Sequence, residues 1–462
     1  MSALLKFLSS FFLCFLAFIF CSSPALAFCG FYVAKADAKL YNQASQVAIA
    51  RDGNRTVLTM ANDYQGDLKD FAIVIPVPTV LKKDQVRVGD PKIMQRLDAF
   101  SAPRLVEYYD SDPCARLEEF SRDAMRSNSV LQSPSAAKAR RQESLGVTIE
   151  EKFTVGEYDI LILSAKESNG LETWLTQNGY RLPNGASQLL QPYIRQGLKF
   201  FVAKVNLAEK AKSDSQNLRP LMMAFESPKF MLPIRLGMTN ARGEQDLLVY
   251  LLSPKGQIEL VNYRTAKIPS DLEIPTYVKS NFGEFYKAMF NTSHLKEGKS
   301  LAFLEYAWDM SSCDPCAADP LSPEELRGAG VFWLDNPNKD AAPSNSGRRR
   351  PGFFPPTNNS NVFITRLHVR YARNTFPEDL SFKETSNRQQ FQGRYILRFP
   401  FKGEMKCEAA KDYRKQLRDR QEKEAVTLAS LTNWNMQDIR RKANITQNQE
   451  KNVPFWRNIW RN

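Results

Sequence analysis

Cys313-Asp314-Pro315-Cys316 is the sharpest chemical signal in the chain, a CxxC pair with proline before its second thiol. That spacing suits thiol–disulfide exchange, in which the first cysteine must be a thiolate, normally stabilised at a helix N-terminus. The surroundings argue against it. Pro320 and Pro323 interrupt any helix running on from Cys316, and the next helix start is Ser322 followed by Pro323, Glu324 and Glu325. Asp314 would raise the neighbouring thiol's pKa rather than lower it. A structural disulfide is therefore the leading reading, and catalysis by Cys313 and Cys316 is the alternative. A metal site needs four ligands and one CxxC supplies two, so Cys29, Cys114, Cys407, His294 or His368 would have to complete it. No second CxxC stands at finger spacing, and neither a metal nor another cofactor is expected.

Other constellations are weaker. Ser293–Ser300 (SHLKEGKS) falls one glycine short of a phosphate-binding loop and sits in a helix–loop–strand context, which is the wrong order. It reads as a polar turn. The two histidines, His294 in that turn and His368 in the strand-like ITRLHVRY, have no nucleophile elbow or HExxH around them. Surface or satisfied-core positions are the default for both. Hydrolysis by two carboxylates needs no histidine, but 50 acidic residues cannot be narrowed by spacing alone. No catalytic set assembles, and the balance leans away from an enzyme.

Composition and address frame these residues. The chain of 462 residues is 43% hydrophobic and 24% charged, which excludes disordered, collagen-like and coiled-coil classes. Residues 1–27 read as a secretory signal peptide: Lys6 is the lone charge, Phe7–Cys21 is almost wholly apolar, and Pro24-Ala25-Leu26-Ala27 offers a small-residue cleavage site. Ser9, Ser10 and Ser22 keep the apolar run short of the roughly 20 residues of a membrane span. No later segment approaches that length, so an exported protein with no transmembrane span after cleavage is expected, periplasmic or extracellular. Cleavage would remove Cys14 and Cys21 and leave an odd set, Cys29, Cys114, Cys313, Cys316 and Cys407. In an oxidising compartment most of these should pair.

The patterning predicts an α+β fold, strand-rich, with antiparallel hairpins and short interspersed helices. Thr56–Asn62 and the nearly continuous apolar Asp70–Val77 read as one hairpin, stopped by Pro76 and Pro78. Met231–Thr239 and Asp246–Leu252 read as a second, and the two would be halves of a sandwich or separate units. Further strands are expected at Val155–Leu163, Leu198–Val205, Ile258–Tyr263 and Leu301–Trp308. Asp90-Pro91 caps a helix whose Ile93, Leu97 and Phe100 share a face. Further helices are expected at Gly170–Asn178, Ser187–Gln196 and Tyr277–Phe290. Ser127–Gly146 and residues 335–361, with Arg348-Arg349-Arg350, look like linkers. Beyond the second lie a strand pair in 362–403 and, in 404–462, a long charged helix with the aromatic-basic tail Phe455–Arg461.

Several stretches together resemble an exported bacterial family, domain of unknown function 2330. They are Phe28-Cys29-Gly30, Val47–Gly53, Gly66–Pro78, Leu97–Cys114, Phe153–Ser164 and Trp308–Cys316. The resemblance covers 28–334, which divides near 28–126 and 147–334. It implies export and a shared fold, and carries over no catalytic residue. Cys29 and Cys114 both fall in its N-terminal part, where they could pair with each other, although the five cysteines leave many connectivities open.

The net charge of +13 bears on partners. Nucleic-acid binding would need a basic stripe with interleaved aromatics, whereas the charges are scattered or alternate in sign along the C-terminal helix. Anionic envelope components, or another envelope protein, are the expected partners. The reading as a whole is an exported envelope protein acting as a non-enzymatic binding or structural module, with thiol–disulfide exchange at CDPC as its rival.

Overall fold

The computed structural model describes residues 31–35, 41–65, 71–115, 147–177, 180–181, 186–211, 218–239, 243–312, 319–335 and 361–445. The expected leader, Cys29, the CDPC pair Cys313 and Cys316, Ser127–Gly146, nearly all of the 335–361 linker and the aromatic tail lie outside these residues.

Two large sheets stack face to face. The first has the order β7-β8-β10-β4-β1-β9 and is antiparallel throughout. Its strands are β1 (Phe31–Lys35), β4 (Phe71–Val77), β7 (Val147–Val155), β8 (Tyr158–Ala165), β9 (Tyr180–Arg181) and β10 (Lys199–Val205). The second has the order β15-β17-β18-β13-β2-β3-β11-β5, with β20 paired to β17. It comprises β2 (Tyr41–Asp52), β3 (Arg55–Gln65), β5 (Val86–Val88), β11 (Leu221–Glu226), β13 (Gln245–Ser253), β15 (Arg264–Lys267), β17 (Leu301–Asp309), β18 (Phe363–Tyr371) and β20 (Phe391–Gln392). Its β13–β2 and β15–β17 pairs are parallel. Two three-stranded sheets flank this pair. One is antiparallel, of β12 (Met231–Leu232), β19 (Leu380–Glu384) and β14 (Ile258–Leu260). The other is parallel, of β16 (Leu272–Glu273), β21 (Arg394–Phe399) and β6 (Arg104–Tyr109).

Alternation along the strands builds the layers. Ile73, Ile75 and Val77 of β4 and Tyr158, Ile160 and Ile162 of β8 meet Val47, Ile49, Val249, Leu251, Leu367 and Val369 in the core between the sheets. The opposite face of the smaller sheet, with Val74, Phe200 and Val202, is covered by α2 (Ser168–Gln177) and α3 (Ala186–Arg195) through Leu171, Leu175, Leu190 and Tyr193. A short α4 (Leu207–Ala211) follows β10. The outer face of the larger sheet is covered by α1 (Pro91–Ser101), α5 (Phe282–Lys296) and α6 (Pro323–Gly328). Helix α7 (Ala409–Thr432) and α8 (Met436–Lys442) pack on α5 through Ala425, Leu428, Leu431 and Ile439. The result is an α+β fold in four layers, helix–sheet–sheet–helix.

Local signals held where the chain's own chemistry decides. Asp90 caps α1 with its side chain accepting from Lys92 N, and Leu97 and Phe100 are buried. Ser322 and Glu325 form a reciprocal capping box on α6. Pairing differs. The expected first hairpin divides between the two sheets, β3 joining β2 and β11 while β4 lies between β1 and β10. Its apolar run needs cover on both faces, which distant strands supply. The expected second hairpin does not form, because Pro233 ends β12 after two residues and Arg235–Thr239 turns as a 3-10 helix. The strands of 362–403 do not pair with each other either: β18 lies between β17 and β13, and β21 joins β6.

Candidate functional site

An extended buried polar cluster lies on the helix-covered face of the larger sheet. Along β18, Leu367, Val369 and Tyr371 face the inter-sheet core. Arg366, His368 and Arg370 therefore share the other face. The neighbouring β17 carries a bulge between Leu304 and Tyr306, opposite Leu367 and Arg366. Ala302, Leu304 and Ala307 stay in the inter-sheet core, whereas Phe303 and Tyr306 pack under the helices. The extra residue is Glu305, and the bulge delivers Glu305 and Tyr306 in succession to the helical side.

Glu305 is completely buried, Arg366 is 5% and His368 8% exposed. One Glu305 oxygen accepts from Tyr286 of α5 and lies 2.8 Å from His368 Nδ1; the other accepts from Arg366 Nε at 2.6 Å. Arg366 Nη1 continues to Asp98 Oδ1 of α1 at 2.7 Å, where Tyr250 also donates at 2.9 Å. On the other side, His368 Nε2 faces Asp246 Oδ1 at 3.3 Å, and Asp246 accepts two bonds from Arg370 at 2.6 and 2.7 Å. The sequence of charges is Asp98, Arg366, Glu305, His368, Asp246, Arg370, alternating throughout.

The electrostatics follow from that order. Burial alone would raise the Glu305 carboxyl, but Arg366 and His368 beside it overrule burial and hold it at about 2. His368 is buried too, which disfavours its charge, yet Glu305 and Asp246 carry its pKa above the ordinary imidazole value. Burial, followed by the Glu305 charge, pushes the Tyr286 hydroxyl well up. The cluster is thus an ionised, mutually neutralised chain.

His294 makes a contrasting neighbour. It lies in the last turn of α5 rather than in the expected loop, and is 2% exposed. Phe290 stands between the imidazoles, stacked on His368 at 3.8 Å and on His294 at 6.1 Å between ring centroids. Neither His294 nitrogen has a hydrogen-bond partner, and Glu244 is 3.9 Å away. Burial lowers its pKa, with Arg370 and Lys299 adding to the effect against Glu244. The chain's two histidines therefore meet at one place, one with its pKa raised and the other with its pKa lowered.

The cysteine expectations resolve in part. Cys114 is bonded to Cys407, not to Cys29, across 293 positions of sequence. Cys313, Cys316 and Cys29 lie outside the described residues. Among the described residues no group of three or more His, Cys, Asp or Glu is arranged to hold a metal, and no helix is long and apolar enough to cross a membrane. The buried ion chain was legible only as a trace. Arg366, His368 and Arg370 alternate in a strand whose other residues, Thr365 apart, are aliphatic or aromatic, and Glu305 stands alone in LAFLEYAW.

Residues 23–383 match the family described as "Uncharacterized protein conserved in bacteria (DUF2330)". The chain belongs to that family. The match runs beyond the 28–334 of the sequence resemblance and takes in β18, so Glu305, Arg366, His368 and Asp246 all fall inside the DUF2330 region. Helices α7 and α8, with Cys407, lie past its end. No curated protein and no solved structure matches the chain at a significant level.

Proposed function

We propose that this DUF2330 protein is exported and acts at the cell envelope as a non-enzymatic binding or structural module. The observation that carries the reading is how its deepest polar groups are spent on one another. A general acid or base must reach a substrate proton. Both oxygens of Glu305 are instead occupied by Tyr286, His368 and Arg366, under a helical layer that leaves the carboxylate fully buried. Such a chain fixes the register of β17, β18, α1 and α5, which is scaffold work.

Export is supported by the leader-like residues 1–27 and by the Cys114–Cys407 bond, since disulfides persist in oxidising compartments. The charge of +13 favours anionic partners such as phospholipid heads, lipopolysaccharide or wall polymers, or the acidic face of another envelope protein. An open groove of about 560 Å³ between α5 and α8 offers accessible surface. Tyr277, Ala288 and Trp434 line it, with Lys287 and Lys442 balanced by Glu284 and Asp438.

Differential alkylation of the natively produced chain, with mass mapping of each cysteine before and after mild dithiothreitol, tests the reading. The expected result is an oxidised Cys114–Cys407 pair, with Cys313 and Cys316 resisting reductant until the protein unfolds. Free thiols at Cys114 and Cys407 in the native material would overturn export. A Cys313–Cys316 pair that opens readily and forms mixed disulfides with other proteins would make CDPC an active site and overturn the module reading.

A further inference from the structure

Helix α7 is held unevenly. Its C-terminal third buries Ala425, Leu428, Leu431 and Thr432, but between Ala410 and Glu424 no residue is buried. That stretch is fastened to the body at one corner. Asp110, just past β6, accepts from Arg420 Nη1 and Nη2 at 2.9 and 2.7 Å and from Tyr413 at 2.7 Å. The Tyr413 oxygen in turn accepts from Phe401 N at 2.9 Å. The Cys114–Cys407 bond ties the chain immediately before the helix.

Glu424 sits where the polar half meets the apolar half. It is 4% exposed, its Oε1 has no hydrogen-bond partner, and Arg420 Nε approaches at 3.4 Å without bonding geometry. Glu273 of β16, Arg398 of β21 and Asp110 face it from the body, with Glu273 and Arg398 paired at 2.9 Å. Helix α8 meets α7 through Arg440 on Glu422, and α5 through Lys296 on the Ser430 carbonyl.

We infer that the N-terminal half of α7 is a proton-sensitive strap. It is docked while Glu424 is neutral and loosened when Glu424 ionises, with the disulfide keeping it tethered in both states. A neutral carboxyl needs no counter-charge, whereas an ionised one would be desolvated between two other carboxylates, and the cations nearest to it are already engaged by Asp110 and Glu273. Burial, opposed by Arg420 and Arg398 and reinforced by Glu273 and Asp110, lifts the group from 4.5 to about 7, which places the transition in the range an exported protein meets. The sign follows: docking is strongest below the ordinary carboxyl value and weakens as pH rises toward the lifted one.

Hydrogen exchange of the full disulfide-bonded chain, corrected for the intrinsic pH dependence of exchange, reads the strap directly. Peptides within Lys411–Lys423 should lose protection on the order of tenfold between about pH 5.5 and 8, while those over Leu428–Thr432 hold theirs. Glu424→Gln, which keeps the shape and cannot ionise, should flatten that difference. Equal protection of Lys411–Lys423 at both pH values in the wild-type chain overturns the inference, and that series stands without the variant should the variant fail to fold. A Glu424→Gln chain that still loosens like the wild type overturns it as well.

Discussion

Two imidazoles on either side of one phenyl ring, one with its pKa raised and the other with its pKa lowered, give opposite slopes of stability against pH. His368 has its pKa raised in the folded chain by Glu305 and Asp246. Its contribution is complete below the ordinary value of 6.5 and is lost as pH rises through the folded value. His294 has its pKa lowered, chiefly by burial. The unfolded chain then binds the proton more readily, so stability on its account is intact above 6.5 and is lost as pH falls through that value. We expect His368→Gln to cost on the order of 3 kcal/mol near pH 6, because it strips a cation from between two buried carboxylates. It should also remove the decline on the alkaline side. His294→Gln should remove the acid-side decline that sets in below about pH 6.5, with little cost at pH 8. Urea unfolding midpoints at several pH values check both, and parallel profiles for the two variants would contradict the assignment. The core reading of His368 is met at Nδ1, which pairs with Glu305, while Nε2 only faces Asp246; both carboxylates come from distant segments, which hid them from the sequence.

Backbone devices, more than composition, decide which of the expected elements survive. Val155–Leu163 has the apolar content of one continuous strand, yet the structure breaks it into β7 and β8 at Gly156, whose φ is +55°. The signal was the glycine itself, with Glu157 after it. That carboxylate is fully buried and is bound by Arg219 N at 2.8 Å, Nε at 2.9 Å and Nη2 at 2.6 Å. A β-carbon at Gly156 would lie 2.7 Å from Arg219 Nη2 and 2.9 Å from Val88 Cγ1. Gly156→Ala should therefore cost about 2 kcal/mol or more, from left-handed strain plus displacement of an arginine already committed to Glu157. A melting temperature within a degree of wild type would show that the turn relaxes freely. The bulge at Glu305 was not legible in the same way. Strict alternation in LAFLEYAWD would set Tyr306 and Trp308 opposite Phe303, and only pairing with β18 reveals the inserted residue. Caps and helix faces are local and could be read. Sheet partners, bulges and register depend on segments tens to hundreds of positions away and could not.

At the scale of the whole molecule, two sheets do stack as a sandwich, one of the two arrangements the hairpin patterns left open, but its halves are not those hairpins and are assembled across the chain. β2 pairs with β13 and β13 with β18, so the larger sheet joins the start of the domain to segments past residue 360. The C-terminal helix, which read as long and charged with alternating signs, is docked on α5 through its last turns and tied to the body through Cys407. This architecture makes the Cys114–Cys407 bond a constraint on nearly the full length of the unfolded chain. Closing a loop of 293 positions should stabilise the fold by about 6 kcal/mol at most through the denatured state. Cys114→Ser with Cys407→Ser should lower the melting temperature in oxidising buffer to that of the reduced wild-type chain, with the remaining cysteines unaffected. The sandwich core does not touch the bond, so far-ultraviolet dichroism of the double variant at low temperature should match the wild type. If reduction lowers the wild-type melting temperature and leaves the double variant unchanged, the stabilisation belongs to this bond. If reduction destabilises the double variant equally, it belongs to another pair.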